Sequence, residues 1–354
     1  MRLKCGTISQ FLIRSVKYMS NYQVKVQPLG MVFNVQQGET VLDAALRQNV
    51  GLQYGCRSGN CGTCEVTLLE GEVSYAEGTP PGLADPDYDC LPCQAFPGSD
   101  LVIEADLLQQ AEQIQATIMP CKVHRHEQLS HDVMRLMLKL PDNQRLQFLA
   151  GQYLDFILPG GRRRAFSIAN APHDDAFIEL HIRHVAGGKF TDYVFSSLED
   201  KAVLRIEAPL GTFTLREDSS RPIRMIGGGT GFAPLKAMIE HAFHVGIDRP
   251  ILLYWGVRAE RDLYLRDLPP AWERQHDNFT FIPVLSEPDE TWRGRSGFVH
   301  EAVMQDIDNI GDYDVYMTGP PVMIKAAAAA FEQAGLSREQ MFSDSFEYGA
   351  KNDN

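Results

Sequence analysis

Seven cysteines occur in the chain, at 5, 56, 61, 64, 90, 93 and 121. Three of them lie in C-R-S-G-N-C-G-T-C-E-V as C-x4-C-x2-C, and Cys93 follows in L-P-C-Q-A-F after 28 intervening residues. Thiolates at Cys56, Cys61, Cys64 and Cys93 therefore have the spacing of ligands to a [2Fe–2S] cluster. Two irons bridged by two sulfides need four thiolates converging on a small volume, and Gly55, Gly59 and Gly62 free the backbone to wrap it with N–H groups aimed at sulfur. Zinc is an alternative, because Cys90 and Cys93 form a second C-x2-C pair beside that of Cys61 and Cys64. A disulfide pair in a secreted protein is the other. Cys121, His124 and His126 read C-x2-H-x-H, as a metal or Rieske half-site would. On a strand, however, positions 121 and 124 point to opposite faces, and no C-x-H partner exists.

Three more segments carry chemistry. In R-R-R-A-F-S-I-A-N, strand alternation puts Arg164 and Phe166 on one face, where a guanidinium can pair a phosphate and a ring can pack on a flat cofactor. A charged strand end next to a core Phe reads the same way. I-G-G-G-T-G-F-A-P follows a strand pattern and opens a helical one, so its glycines would let backbone approach a pyrophosphate at an electropositive helix end. It is not G-x-G-x-x-G, and a structural turn is the competing reading. M-T-G-P-P-V-M ends a later strand.

The elements that must position these groups follow three rhythms. Y-Q-V-K-V-Q-P-L-G-M-V-F-N-V predicts a β-hairpin about P-L-G, and G-E-T-V-L-D-A-A-L-R-Q-N-V predicts a helix capped by Thr40, with Asp43 three residues on. The Gln-rich segment around 107–118 reads as a connector. From Cys121 to Leu215 the chain is mostly short strands separated by turn residues, which predicts a closed antiparallel barrel. After Arg221 strands alternate with helices, which predicts a parallel, doubly wound sheet.

Composition narrows the function class. With 44% apolar and 22% charged residues the chain is globular, and no stretch approaches the 18 apolar residues of a membrane span. The balance of 33 basic against 46 acidic residues argues against nucleic-acid binding through long-range electrostatics. Residues 20–106 hold twelve acids against Lys25, Arg47 and Arg57, whereas residues 119–218 hold thirteen of each sign. The first 22 residues are basic and acid-free, as organelle-targeting segments are, but F-L-I is too short for a secretory core. The competing readings are a start at Met19 or a disordered, dispensable tail, and the expected location is cytoplasmic.

The cysteine segment closely resembles plant-type ferredoxins, whose fourth ligand sits in a similar L-x-C-x-A-x-P-x-S-D-L stretch; that match implies that Cys93 ligates and Cys90 does not. The order of barrel and nucleotide fold resembles the ferredoxin–NAD(P)+ reductase superfamily, and R-A-F-S is similar to its R-x-Y-S flavin signature. The resemblance implies that Arg164 contacts a flavin phosphate, Phe166 packs on the isoalloxazine without the usual Tyr hydroxyl, and Ser167 bonds near N5. G-G-K-F-T-D-Y-V resembles the second flavin motif, implying that Gly188 and Thr191 lead a helix facing the pyrophosphate. FAD is the flavin implied, with FMN as the alternative. G-G-T-G-x-x-P implies nucleotide contacts for Gly229, Thr230 and Gly231; T-G-P-P places Thr318, Gly319 and Pro320 beside the nicotinamide, Thr318 standing where Cys is usual. F-S-D-S-F-E-Y-G resembles the terminal segment, implying Phe346 near the flavin ring and Asp344 as a polar contact.

The expected architecture is multidomain: a leader over 1–19, an α+β β-grasp ferredoxin domain over 20–106, a linker over 107–118, an antiparallel β-barrel flavin domain over 119–218 and an α/β doubly wound nucleotide-binding domain over 219–354. That order most closely resembles CDP-6-deoxy-Δ3,4-glucoseen reductases, with aromatic-ring oxygenase reductases nearly as similar. A hydride brings two electrons and a [2Fe–2S] cluster accepts one, so the pair is divided at the flavin and the acceptor is a one-electron protein partner. A sugar dehydrase is the expected partner, with an oxygenase as the alternative; a free-flavin reductase would have no use for the cysteine module. V-R-A-E-R-D lacks a Ser or Thr beside Arg to hold a 2′-phosphate, so NADH is expected over NADPH, although Arg258 and Arg261 are available.

Overall fold

The computed structural model describes residues 21–108 and 114–345, so the expected leader and Phe346 lie outside the described residues. In the first unit, β1 (Tyr22–Gln27) and β2 (Met31–Val35) form the hairpin, with Val24, Val26, Phe33 and Val35 buried and Lys25 and Asn34 exposed. Helix α1 (Val41–Arg47) starts where the Thr40 hydroxyl accepts a hydrogen bond from Asp43 N at 3.1 Å. The Asp43 carboxylate does not return the cap; it pairs with Arg57 at 2.7 Å. Five more strands complete the unit: β3 (Val66–Glu70), β4 (Val73–Ser74), β5 (Asp89–Cys90), β6 (Phe96–Pro97) and β7 (Leu101–Glu104). The sheet runs β2-β1-β7-β3-β5, with β1 and β7 parallel, and β4 and β6 form a separate ribbon. Val41, Leu42, Ala44 and Ala45 of α1 close its core.

The second unit is built from β8 (Thr117–Gln128), β9 (Val133–Lys139), β10 (Tyr153–Ile157), β11 (Arg163–Ser167), β12 (Ile178–Arg183) and β13 (Val203–Leu210), all paired antiparallel in the order β11-β10-β13-β8-β9-β12. A bridge from Ile168 to Leu180 joins the two ends of the sheet, so the barrel closes through a narrow seam. Helix α2 (Lys189–Ser196) covers it with Phe190 and Val194. Strand β8 begins at Thr117, inside the segment expected as linker, because Thr117 pairs with Ala208 of β13. The linker's first residues are tied as well, with Leu108 N donating to Gly51 O at 2.8 Å.

The third unit is a wholly parallel sheet of β14 (Ile223–Gly228), β15 (Ile251–Val257), β16 (Phe279–Leu285), β17 (Arg295–Ser296), β18 (Asp314–Gly319) and β19 (Met341–Ser345). Its helices are α3 (Phe232–Val245), α4 (Leu268–Gln275), α5 (Val299–Asp306) and α6 (Pro321–Gln333). The order β17-β16-β15-β14-β18-β19 reverses direction between β14 and β18. In open α/β sheets ligands bind at the carboxyl ends of strands at such a switch point. Those two strand ends carry the Gly229–Gly231 turn and the Gly319–Pro320 pair.

Candidate functional site

The segment between α1 and β3 holds three of the four thiols, and its path is set by backbone that few residues tolerate. Arg57, Gly59 and Gly62 have φ of 56°, 77° and 76°. A Cβ on Gly59 would lie 2.9 Å from both Gln94 Cγ and Pro80 Cβ, so the loop passes close under its neighbours. Cys56 lies beside Cys61, and Cys64 beside Cys93, each thiol close enough to shift the titration of its neighbour. Ser58 N donates to Cys56 Sγ at 3.4 Å and Cys56 N to Cys61 Sγ at 3.5 Å. The Cys61 contact, against burial and with help from Ser58 and Asn60, holds the Cys56 thiol down at about 5.

All six described cysteines are free thiols, which removes the disulfide reading for them. Among the described residues no group of three or more His, Cys, Asp or Glu side chains is placed to hold a single ion. Two thiol pairs instead suit two irons, each taking two thiolates. Cys90 lies in β5 with Val66 as its strand partner, and burial pushes its thiol up to about 12. The C-x2-H-x-H group separates: Cys121 is in the barrel core, His124 stacks on Phe177 at 4.3 Å and His126 pairs with Asp200 at 2.8 Å.

Where barrel meets parallel sheet, buried hydroxyls gather. Thr318 Oγ1 is buried with no hydrogen-bond partner among the described residues, and Ser167 Oγ, also buried, reaches only the Asp344 carboxyl. Thr318 is the register partner of Asp344 on the adjacent strand. Burial first, and the charge of Cys56 second, push the Asp344 carboxyl up to about 8, while the nearby Ser167 hydroxyl pulls it down. Residues from all three units therefore meet at one place. A group with donors and acceptors on its edge, such as a flavin, fits a place where the buried Thr318 hydroxyl is left without a partner.

Arg164 and Phe166 share one half-buried face of β11, while Arg163 and Ala165 are exposed. Phe166 stands edge-on to Phe156 at 5.8 Å and lies 5.6 Å from Phe190, so one side of its ring serves the barrel core. Gly188 caps α2 as expected, with a Cβ there coming within 2.8 Å of Thr191 Oγ1. The Thr191 hydroxyl is used within the turn: it accepts from Val185 N at 3.2 Å and lies 3.1 Å from Val185 O. It shapes the approach to the helix rather than pointing outward.

The switch point holds a cavity of about 700 Å³, in the range of small-molecule and cofactor sites. Gly228, Gly229 and Thr230 line one wall and Pro320 another. A Cβ on Gly231 would reach 2.3 Å from Thr318 O, so that glycine permits the two strand ends to touch. Trp255 fixes the turn by donating from Nε1 to Gly229 O at 2.9 Å and stacking on Phe232 at 4.0 Å. Arg258 lines the same cavity, and so does Ser286 from the end of β16. The sequence shows no Ser or Thr beside that Arg; the sheet brings one from 28 positions away.

A buried polar chain joins barrel to nucleotide fold and carries no local sequence signal. Lys236 of α3 donates to Ala169 O at 3.1 Å, Glu179 Oε2 at 3.2 Å and Glu240 Oε2 at 3.0 Å. His181 contacts Glu179 Oε1 through Nε2 at 2.9 Å and the Tyr264 hydroxyl through Nδ1 at 3.0 Å. Burial keeps His181 below its ordinary pKa, so the neutral ring donates to Glu179 and accepts from Tyr264. Burial alone would raise Glu179, but His181 and Lys236 hold it at about 2.

Comparison with known proteins follows the same three units. Residues 24–98 match the 2Fe-2S iron-sulfur cluster binding domain, 120–215 the oxidoreductase FAD-binding domain and 225–329 the oxidoreductase NAD-binding domain. The chain is 40% identical over 326 residues to the CDP-6-deoxy-L-threo-D-glycero-4-hexulose-3-dehydrase reductase of Yersinia pestis, covering 91% of this chain and 98% of that one. It is 36% identical over 340 residues to the phenol hydroxylase P5 protein of Acinetobacter pittii, covering 92% and 94%. Among solved structures it is similar to the Amycolatopsis cytochrome P450 reductase GcoB, with TM-score 0.76, 32% identity and coverage of 92% and 98%.

Proposed function

The chain belongs to the reductases that join a 2Fe-2S domain to FAD-binding and NAD-binding oxidoreductase domains, and from that premise we propose that its electron acceptor is a dehydrase acting on a CDP-linked 6-deoxy-hexulose. It is an NAD(P)H-dependent electron-transfer oxidoreductase. Conversion of a two-electron donor into single-electron delivery is the chemistry that FAD and the cluster supply when bound. The observation that carries the choice of partner is the 40% identity, over nearly the whole of both chains, to a reductase named for such a dehydrase. The phenol hydroxylase component, at 36%, supports an oxygenase as the second reading.

Four thiolates, Cys56, Cys61, Cys64 and Cys93, hold the cluster in this reading, supported by their two close pairs. Arg164 binds the flavin phosphate, Phe166 flanks its ring, and Ser167, Thr318 and Asp344 line the place where ring and nicotinamide meet. Gly188 opens the helix toward the pyrophosphate of the flavin, with Thr191 holding the turn before it. Gly229, Thr230 and Gly231, with Gly319 and Pro320, seat the nicotinamide nucleotide. Cys90 and Cys121, which take no part in the cluster, are not joined in a disulfide, which suits a reducing compartment, and we place the protein in the cytoplasm. Among the described residues no helix is long and apolar enough to cross a membrane.

NADH is the donor of choice in this reading. The loop V-R-A-E-R-D supplies no hydroxyl of its own beside Arg258 for a 2′-phosphate, and the acid Asp262 lines the cavity with that Arg. A higher kcat/KM with NADH than with NADPH is expected, and the reverse order would refute the preference. For the partner, reduced nicotinamide and this protein are combined with a purified dehydrase and its CDP-sugar, or with an oxygenase and its aromatic substrate. Product in the first mixture alone supports the proposal; product in the second alone gives the oxygenase reading.

A further inference from the structure

The loop that carries Cys56 is held against the barrel by two side chains that take no part in cofactor binding as described above. Thr212, two residues beyond β13, makes three hydrogen bonds to the main chain of Tyr54: its Oγ1 accepts from Tyr54 N at 2.9 Å and donates to Tyr54 O at 2.8 Å, and its own N–H donates to the same carbonyl at 3.0 Å. Tyr153, at the start of β10, donates from its hydroxyl to Gly55 O at 3.0 Å, one residue before the first thiol. The Tyr153 ring is buried, and Gly211, with φ of 88°, leaves room for it: a Cβ there would lie 2.8 Å from the ring. The contacts span 158 and 98 positions of sequence, so they are tertiary constraints on an otherwise irregular loop.

The opposite end of the loop is tied to the parallel sheet. Thr63 Oγ1 donates to Ser343 O at 3.0 Å, next to Asp344. Lys325 of α6 donates to Pro81 O at 2.7 Å, and the following residue, Gly82, bonds Gly59 O at 2.8 Å. The thiol-bearing face of the first unit is therefore turned inward, toward Ser167 and Asp344. Swinging that unit away would break hydrogen bonds to both other units.

We propose that Tyr153 and Thr212 are positioning residues for electron transfer from flavin to cluster: they lock the cysteine loop on the barrel so that the step proceeds with the first unit docked. The proposal rests on the electron path given above. Electron transfer between two groups slows as their separation grows, so a lock that fixes the cysteine loop on the barrel sets the rate of the step.

The test uses the full-length holoprotein with Tyr153→Phe, Thr212→Val and Thr212→Ser. Cluster and flavin contents are measured first, then amide hydrogen exchange at residues 54–56, ferricyanide reduction by NADH, and cluster reduction after rapid mixing with NADH. Tyr153→Phe and Thr212→Val are expected to keep both cofactors and ferricyanide reduction, to exchange faster at 54–56, and to reduce the cluster several-fold more slowly than the wild type. Thr212→Ser retains the hydroxyl and restores both readouts. Cluster reduction at the wild-type rate in either holo variant, or slowed reduction with unchanged exchange, overturns the proposal. If Tyr153→Phe loses cofactor, the Thr212 pair decides by the same criteria, and loss of cofactor from Thr212→Val also overturns it, because the residue is then structural. Wild-type protein tests the underlying path separately: a cluster reduced before or without the flavin contradicts that path, not the lock.

Discussion

Arg164 is where a single charge is expected to decide retention of a cofactor. It stands on the same half-buried face of β11 as Phe166. A hydrogen bond to a charged group contributes about 1.5 to 3 kcal/mol, so Arg164→Ala is predicted to raise the FAD dissociation constant roughly ten- to hundredfold. Ferricyanide reduction and partner reduction then fall together, and excess FAD restores both. Unchanged FAD affinity, measured by fluorescence titration, would remove Arg164 from the flavin site. At this scale the sequence was legible where local pattern suffices: the C-x4-C-x2-C segment lies within the matched 2Fe-2S domain, and R-A-F-S forms strand β11 as its alternation predicts. Ser286, Tyr153 and Thr212 were not legible, because each acquires its role from a residue far away in the chain.

Helix α3 shows what an element adds. Its first turn follows the glycine turn that lines the nucleotide cavity, and one turn later Lys236 reaches across to the barrel. Lys236→Met leaves Glu179 buried beside a neutral His181, and breaking a buried pair from one side costs about 3 kcal/mol or more. A lower urea midpoint is predicted for the single variant, with part of the loss recovered in Lys236→Met/Glu179→Gln, where no buried carboxylate is stranded. A single variant as stable as the wild type would show that the chain of contacts is not cohesive. Elements themselves were largely readable: the β1–β2 hairpin, the Thr40 cap and the strand–helix alternation after Arg221 all follow from period and turn chemistry. The start of β8 was not, because pairing of Thr117 with Ala208 overrides a Gln-rich, loop-like composition. Closure of the barrel was readable from its run of short strands, but the residues that close it, Ile168 just beyond β11 and Leu180 in β12, follow from no local pattern.

For the whole molecule, charge and order of cofactors are the properties that matter. The first unit carries twelve acids against three basic residues, the largest net negative charge of the three units, and Glu70, Glu72, Glu77, Asp85 and Asp87 are exposed. An acidic unit steers toward a basic surface, so electron transfer to the physiological partner is predicted to slow as ionic strength rises. A rate unchanged between low and high salt would reject steering. The first unit also has a core separate from those of the other two, so the cluster can be disabled without unfolding the flavin and nucleotide units. Cys93→Ser is therefore the most direct test of the path from nicotinamide through flavin to cluster and partner. Expected is a protein that retains FAD and reduces ferricyanide with NADH at close to the wild-type rate while losing most reduction of its one-electron partner. Loss of ferricyanide reduction with FAD still bound would place the cluster upstream of the flavin and contradict the path.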